Sequence, residues 1–483
     1  MPYILAHSIN GKTTQTTGNQ LLPLFNPAVG EVIGQVPIAN QIDIEAASHA
    51  ALNAFPAWSK TPAHKRAQVL FRFKALVDQH LDELAEHITR EHGKTLSEAK
   101  GSILRGIELI ELGCNIADKM KGFYAENIAT NIDGYSFRQP IGVCLGITPF
   151  NFPAMIPLWM LTTAIACGNT FILKPSEKDP SCSSRLIELL YEAGLPLGVV
   201  NVLHGDHTTV DALLKHPNID AVSFVGSTPV AKHVYETAIL HGKRAQAFGG
   251  AKNHGVVMPD AQLDYTVKSI VGAAYGCAGE RCMALPVVLA IGDHVADALI
   301  KALIPAIQKL KVGSGTQPNT DIGPLISAEH CEKVKNRIQI GIDEGATLII
   351  DGRSQSKTGF FCGPCLFDHV TPNMKIYQEE IFGPVLCVVR VESLEQAITL
   401  INHNPYGNGT AIFTRDGETA RSFVSAIQVG MVGVNIPVPV PAAIFPFGGW
   451  KQSKFGDSYL HGDEGLRFYT KTKSITQYWP ARN

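Results

Sequence analysis

A chain of 483 residues with 45% hydrophobic and 17% charged residues has apolar material for two or three well-filled domains, which excludes a disordered chain. A formal net charge of −2, with no long basic run and no aromatic residues interleaved with lysines, argues against nucleic acid as a partner. Ten cysteines are scattered along the chain, and Met1 to Gly11 contain neither an arginine nor an apolar core. Reduced thiols in a cytoplasm are therefore expected, with no disulfide framework and no presequence.

From Ile42 to Phe123 the chain is charged, alanine-rich and helically periodic, which predicts surface helices. Ile128 to Gln139 alternates and contains Asp133-Gly134, a hairpin signal. Gln139 to Lys174 carries no charge between its ends, but Pro140, Pro149, Pro153, Pro157, Asn151 and Gly168-Asn169 interrupt it. It reads as a buried strand, helix and strand, and no membrane span is expected. Short apolar strands then alternate with helices: Gly142 to Thr148, Phe171 to Lys174, Val199 to Leu203, Ala221 to Val225 and Gly255 to Met258. This is the pattern of a mostly parallel, doubly wound sheet. A second such run extends from Tyr265 to about Gly430 and includes strands Pro286 to Ile291 and Val385 to Val391. Within it, Cys362-Gly363-Pro364-Cys365 spells a redox dithiol motif, but strand and turn flank it and no helix follows that would stabilise a thiolate. Val434 to Trp450 reads as a pocket-lining segment, and Lys473 to Trp479 as an edge strand. No metal site is expected.

Five strings carry candidate chemistry. Pro149-Phe150-Asn151-Phe152-Pro153 lies between a strand and a helix, where an asparagine amide can donate to an oxyanion and equally fits ordinary turn chemistry. Lys174 and Glu177 follow a strand end, as ligand-binding groups of an open α/β sheet do and as a solvated turn also would. Gly226-Ser227-Thr228 opens a helix whose N–H groups can bind pyrophosphate, although a Gly-x-Gly-x-x-Gly fingerprint is absent. Gly276-Cys277-Ala278-Gly279-Glu280-Arg281-Cys282 sets a thiol on a glycine-rich loop. A thiol of unperturbed pKa near ~8.5 needs positive charge to react; Arg281 supplies it and Glu280 opposes it. Gln378-Glu379-Glu380-Ile381-Phe382-Gly383-Pro384 precedes a strand.

In this order the strings resemble the aldehyde dehydrogenase superfamily over nearly the whole chain, from Asn26-Pro27 to Pro446-Phe447-Gly448-Gly449-Trp450. The resemblance implies an α/β fold of two doubly wound α/β domains plus a small β oligomerisation element. Residues 1–124 and 140–248 would form the NAD-binding domain, and 249–433 the catalytic domain with the nucleophilic cysteine. The oligomerisation element of a tetramer or dimer would comprise 125–139 and 470–483, and residues 434–469 a pocket-lining and return segment. It implies Cys282 as nucleophile, Asn151 as oxyanion donor, and Phe150, Lys174, Glu177, Gly226, Ser227, Glu380 and Phe382 as contacts of NAD. Glu177 would repel a 2′-phosphate and so favour NAD over NADP. The family's second glycine after Gly226 falls at Ala231, a departure.

Within that family, Ala247 in the slot of the hydrolytic glutamate, the string Gly249-Gly250-Ala251-Lys252-Asn253-His254 and Arg105-Gly106-Ile107-Glu108 resemble the branch acting on methylmalonate semialdehyde. This implies Arg105 and Arg281 as partners of a substrate carboxylate. It also implies NAD-dependent oxidation of malonate or methylmalonate semialdehyde, with decarboxylation and transfer to coenzyme A as co-substrate. Hydrolysis to a free acid by some other base is the alternative.

Overall fold

The computed structural model of the protein describes residues 3–16, 18–354 and 358–480; the remaining positions of the expected segments 1–124, 249–433 and 470–483 lie outside it. Strands Val143–Ile147, Thr170–Lys174 and Val200–Val202 lie side by side in chain order and parallel. The chain then returns to the other side of the first of them, adding Ala221–Val225 and Arg244–Phe248, also parallel. Antiparallel Lys454–Phe455 at one edge and His7–Ile9 with Lys12–Thr14 at the other complete an eight-stranded sheet. Reversal of the winding between Val143–Ile147 and Ala221–Val225 opens a crevice at their C-terminal ends, which is where ligands of such sheets bind. Asn151 and Gly226-Ser227 follow these two strands.

A second sheet has seven strands: Thr347–Ile350, Cys365–Asp368, Val385–Val391, Val287–Ile291, His254–Val257, Gly409–Phe413 and Met431–Val434, parallel except at the first. Strands Ala221–Val225 and Val385–Val391 have the boundaries that their apolar runs predict, and the others shift by a residue or two. The terminal strand Thr470–Tyr478 pairs along its nine residues with Ile132–Pro140, which pairs with Tyr124–Ala129.

The hairpin exists, but Asp133-Gly134 is not its turn. The chain reverses at Thr130-Asn131, with Asn131 left-handed (φ 60°), and Asp133 sits on the second strand. Its carboxylate accepts the Asn127 N–H at 3.0 Å and the Tyr124 hydroxyl at 3.2 Å across a bulge between Ala125 and Ala129. A short acceptor that satisfies a bulged N–H explains aspartate there as well as a turn would.

The charged N-terminal stretch forms the helices Gln41–Lys60, Ala63–Gln79, Leu81–His92 and Leu96–Cys114. Reciprocal capping boxes start the first (Asn40 with Asp43) and the last (Thr95 with Glu98). They are not surface helices throughout, since Phe73, Ile88, Ile103 and Ile110 are completely buried. The helix Met155–Ala166 is apolar all round and buried along its whole length, as the uncharged run predicts, and among the described residues no helix is long and apolar enough to cross a membrane. All ten cysteines are free, and Cys362 and Cys365 are buried, with Cys365 opening a strand.

Helix Leu96–Cys114 packs closely on Met155–Ala166 at Gly106, where a Cβ would lie 2.7 Å from Leu158 Cδ1 and 3.3 Å from Met155 Cα. Gly106→Leu should cost about 1–3 kcal/mol by overpacking, measured as a lower urea midpoint. An unchanged midpoint would show that the helices part without strain.

Candidate active site

The thiol segment leaves the helix Leu263–Tyr275 through a tight turn in which Cys277 (φ 51°) and Ala278 (φ 52°) are both left-handed. Such conformations are unfavourable for residues with a Cβ and persist only where neighbours hold them. Glu98 Oε1 accepts the Cys277 N–H at 2.6 Å. Gly279 passes so close to the next loop that a Cβ would meet the Gly383 carbonyl oxygen at 2.2 Å, and Gly276 leaves room for the Arg281 guanidinium, which folds back to the Gly272 carbonyl. Beyond the turn, the Asn253 and Asn408 amides both donate to the Cys282 carbonyl, at 2.9 and 3.0 Å.

Cys282 stands where two cavities meet, sharing only Phe152 with it. The larger, about 630 Å³, is lined by Phe150, Asn151, Gly226, Ser227, Gly249, Gly250, Glu380 and Phe382 among others. The smaller, about 400 Å³, is lined by Arg105, Arg281, Glu98, Trp159, Val440 and Phe447 among others. Sequence positions from 105 to 382 thus converge on one thiol. Lys174 and Glu177 do not line either cavity; they pair with each other at 3.0 Å at the end of their strand. Burial opposes ionisation of Glu177, but the Lys174 ammonium and local hydrogen bonds outweigh it and hold the carboxyl below its usual range.

Burial first and the Glu380 carboxyl second push the Cys282 thiol up to about 12, against nearby backbone N–H groups and Arg281. The resting thiol is therefore protonated at neutral pH, and a cation entering the site would favour the thiolate. The Asn151 side-chain amide donates to the Glu280 backbone carbonyl at 2.9 Å, while the Asn151 backbone carbonyl accepts from the buried Lys94 ammonium. Glu380 is held by the Ala251 N–H at 2.9 Å, and burial raises it to about 7. Phe382 is left-handed (φ 56°), and its ring packs edge-on against Phe150 at 6.0 Å.

Arg105 donates to Glu108 at 2.6 Å and to the Pro441 carbonyl at 2.9 Å while facing the smaller cavity. Any acid bound there competes with Glu108. Glu280, expected to oppose the thiolate by its charge, is fully buried and raised by burial to about 8, so it is mostly neutral at pH 7.

Ala247, expected in the slot of the family's glutamate, packs into the apolar core with Leu145, Val222 and Phe224, and lines neither cavity. Phe248, one residue on, points to the opposite face, into the cluster that includes Met283 and against which Cys282 packs. Successive strand residues face opposite ways, and neither Ala247 nor Phe248 lines either cavity. Both residues are apolar, and strand Arg244–Phe248 brings no carboxylate to the thiol.

The cleft fits a dinucleotide. Gly226, Gly249 and Gly250 line the larger cavity, and Gly250 lets the Glu380 carboxylate approach its backbone, since a Cβ there would lie 2.3 Å from Glu380 Oε2. Helix Thr228–Leu240 starts at the cavity wall with Pro in its first turn and no side-chain cap from Ser227, which leaves its first N–H groups to a phosphate. His330, Asn253, Asn408 and Lys94 were not marked by sequence reasoning; only Asn253 stands in a string it quoted.

The sequence profile of the aldehyde dehydrogenase family matches residues 13–475, and the chain belongs to that family. It is 56% identical over 482 residues to a malonate-semialdehyde dehydrogenase of Pseudomonas aeruginosa, covering 99% of this chain and 97% of that one. A structure of methylmalonate-semialdehyde dehydrogenase from Oceanimonas doudoroffii is 52% identical with a TM-score of 0.98, covering 100% of this chain and 99% of that one. A structure from Sinorhizobium meliloti, described as a candidate methylmalonate-semialdehyde dehydrogenase complexed with NAD, is 51% identical with a TM-score of 0.99 and the same coverage.

Ala247→Glu should destabilise the protein by about 1–3 kcal/mol, because it buries a carboxyl without a partner, and should leave thioester hydrolysis unchanged. Thermal denaturation and the rate of free-acid formation check both parts. Faster hydrolysis would mean that residue 247 reaches the thiol.

Proposed function

We propose that the chain oxidises malonate or methylmalonate semialdehyde with NAD through a thioester on Cys282, then transfers the decarboxylated acyl group to coenzyme A. The observation that carries this reading is the position of Cys282 between two cavities, one with two arginines and the other shaped for a dinucleotide. The names of the similar proteins support the substrate class. Phe150, Gly226, Ser227, Glu380 and Phe382 would hold NAD, with Lys174 and Glu177 at its adenosine end; NAD supplies the hydride acceptor.

Cys282, as the thiolate, attacks the aldehyde carbon. The carbonyl π pair moves to oxygen, where the Asn151 amide and the Cys282 N–H stabilise it. Collapse of this oxyanion re-forms the C=O bond as hydride departs, leaving a thioester. The β-carboxylate, held until then by Arg105 and Arg281, leaves as carbon dioxide, and its bonding pair enters the thioester enolate, which takes a proton on carbon. Attack by the coenzyme A thiolate then expels the Cys282 thiolate, giving acetyl- or propionyl-CoA. Domain boundaries as expected from the sequence, and a homo-oligomer built through Thr470–Tyr478 and the 124–140 hairpin, belong to the same reading.

One observation favours hydrolysis instead. Glu380 shares the larger cavity with Cys282, and at about 7 it is suited to act as a base toward water. Coenzyme A decides between the two. Without it, enzyme, aldehyde and NAD should give a burst of about one NADH per competent site and then slow turnover. Rapid, sustained turnover without any thiol would favour hydrolysis.

Arg105→Leu should lower kcat/KM for malonate semialdehyde by about 10- to 1,000-fold, roughly 1.4–4 kcal/mol, and affect an uncharged aldehyde of similar size much less. Equal losses for both substrates would point to structural damage, and no loss would remove Arg105 from the site.

A further inference from the structure

No step of this chemistry uses Glu280, yet its carboxyl is buried to 0% exposure and lines neither cavity. Burying a carboxyl is costly unless its surroundings use it. Oε1 accepts the Ile326 N–H at 3.1 Å and lies 3.6 Å from His330 Nε2. Oε2 lies 3.5 Å from His92 Nε2, and those two atoms have no closer partner. His92 Nδ1 accepts the Lys94 N–H at 3.2 Å, so in the neutral ring the proton sits on Nε2 and faces Glu280. His330 Nε2 donates to the Phe382 carbonyl at 2.7 Å. The His92 ring lies 5.8 Å from that of Phe150. The backbone carbonyl of Glu280 accepts the Asn151 amide. One residue therefore reaches three residues of the larger cavity's wall: Asn151 through its backbone carbonyl, and Phe150 and Phe382 through one imidazole each.

We propose that Glu280 is the positioning residue of the nucleophile loop, wedged between His92 and His330 so that Asn151 and Cys282 keep their places relative to the cofactor wall. The proposal deepens the reading of Cys282 as nucleophile and rests on it. Charged and titratable groups face Glu280 from three sides: His92 and Lys94 from the end of helix Leu81–His92 and the turn after it, His330 and Cys331 from helix Ala328–Asp343, and Lys178 from the loop after Thr170–Lys174. Burial keeps the carboxyl neutral below about 8. Above that it gains a negative charge on the same loop, two residues before Cys282, and like charge disfavours a thiolate.

The test compares wild type, Glu280→Gln and Glu280→Ala as full chains between pH 6.5 and 9, by Cys282 alkylation with iodoacetamide and by the NADH burst without coenzyme A. Glu280→Ala should slow the burst about 10- to 100-fold with the KM for NAD changed less than about threefold. Glu280→Gln, which keeps the shape and the acceptor for the Ile326 N–H, should stay within about threefold of wild type at pH 6.5. At pH 9 it should alkylate about 3- to 10-fold faster than wild type, since it cannot ionise. A wild-type burst in Glu280→Ala, Glu280→Gln as slow as Glu280→Ala, or parallel pH curves for wild type and Glu280→Gln would each overturn the proposal. If Glu280→Ala does not fold, the pH curves of Glu280→Gln decide. NADH formation that survives alkylation of Cys282 in wild type would overturn the thiol reading and the proposal with it.

Discussion

Two amides hold one carbonyl: Asn253 at 2.9 Å and Asn408 at 3.0 Å both donate to the Cys282 oxygen. Asn253 immediately precedes strand His254–Val257 and also accepts the Gly409 N–H at 2.9 Å, at the head of the neighbouring strand. The Cys282 backbone is thereby fixed to two strands of the seven-stranded sheet. The crevice of the eight-stranded sheet supplies the opposing wall through Asn151 and Gly226-Ser227. Neither sheet contains the site alone, and a group on rigid elements is held more closely than one on a free loop.

The same enclosure sets the electrostatics. Burial is the leading cause of every raised value near the thiol: Cys282 to about 12, Glu280 to about 8 and Glu380 to about 7. A cleft that discourages charge keeps the thiol unreactive until positive charge or a donor arrives, and so limits its loss to oxidants. Lys94 is buried beside the same cleft: its Nζ donates to the Asn151 backbone carbonyl and lies 4.4 Å from the Phe152 ring centre.

Much of the architecture was legible because its signals are local. Apolar runs such as Val385–Val391 and the uncharged helix Met155–Ala166 declare themselves by composition, and the order of five motifs identified the family. What failed depended on pleat and burial. Ala247, expected in the slot of the family's glutamate, packs into the sheet core, and which face a strand residue takes depends on pleat and register. Asp133-Gly134 reads as a turn until the bulge that Asp133 satisfies is seen. The charge expected of Glu280 disappears with its solvent. His330, Asn408 and Lys94 carry no local mark, because each acts through contacts with residues 50 or more positions away.

The central claim is that Cys282 carries the acyl group between oxidation and transfer. Its most direct test is peptide-level mass spectrometry of enzyme quenched after mixing with malonate semialdehyde and NAD in the absence of coenzyme A. The account predicts an acetyl group on the Cys282 peptide, lost when coenzyme A is added and recovered as acetyl-CoA. An unmodified Cys282 peptide during NADH formation, or an acyl group on another cysteine, would contradict it.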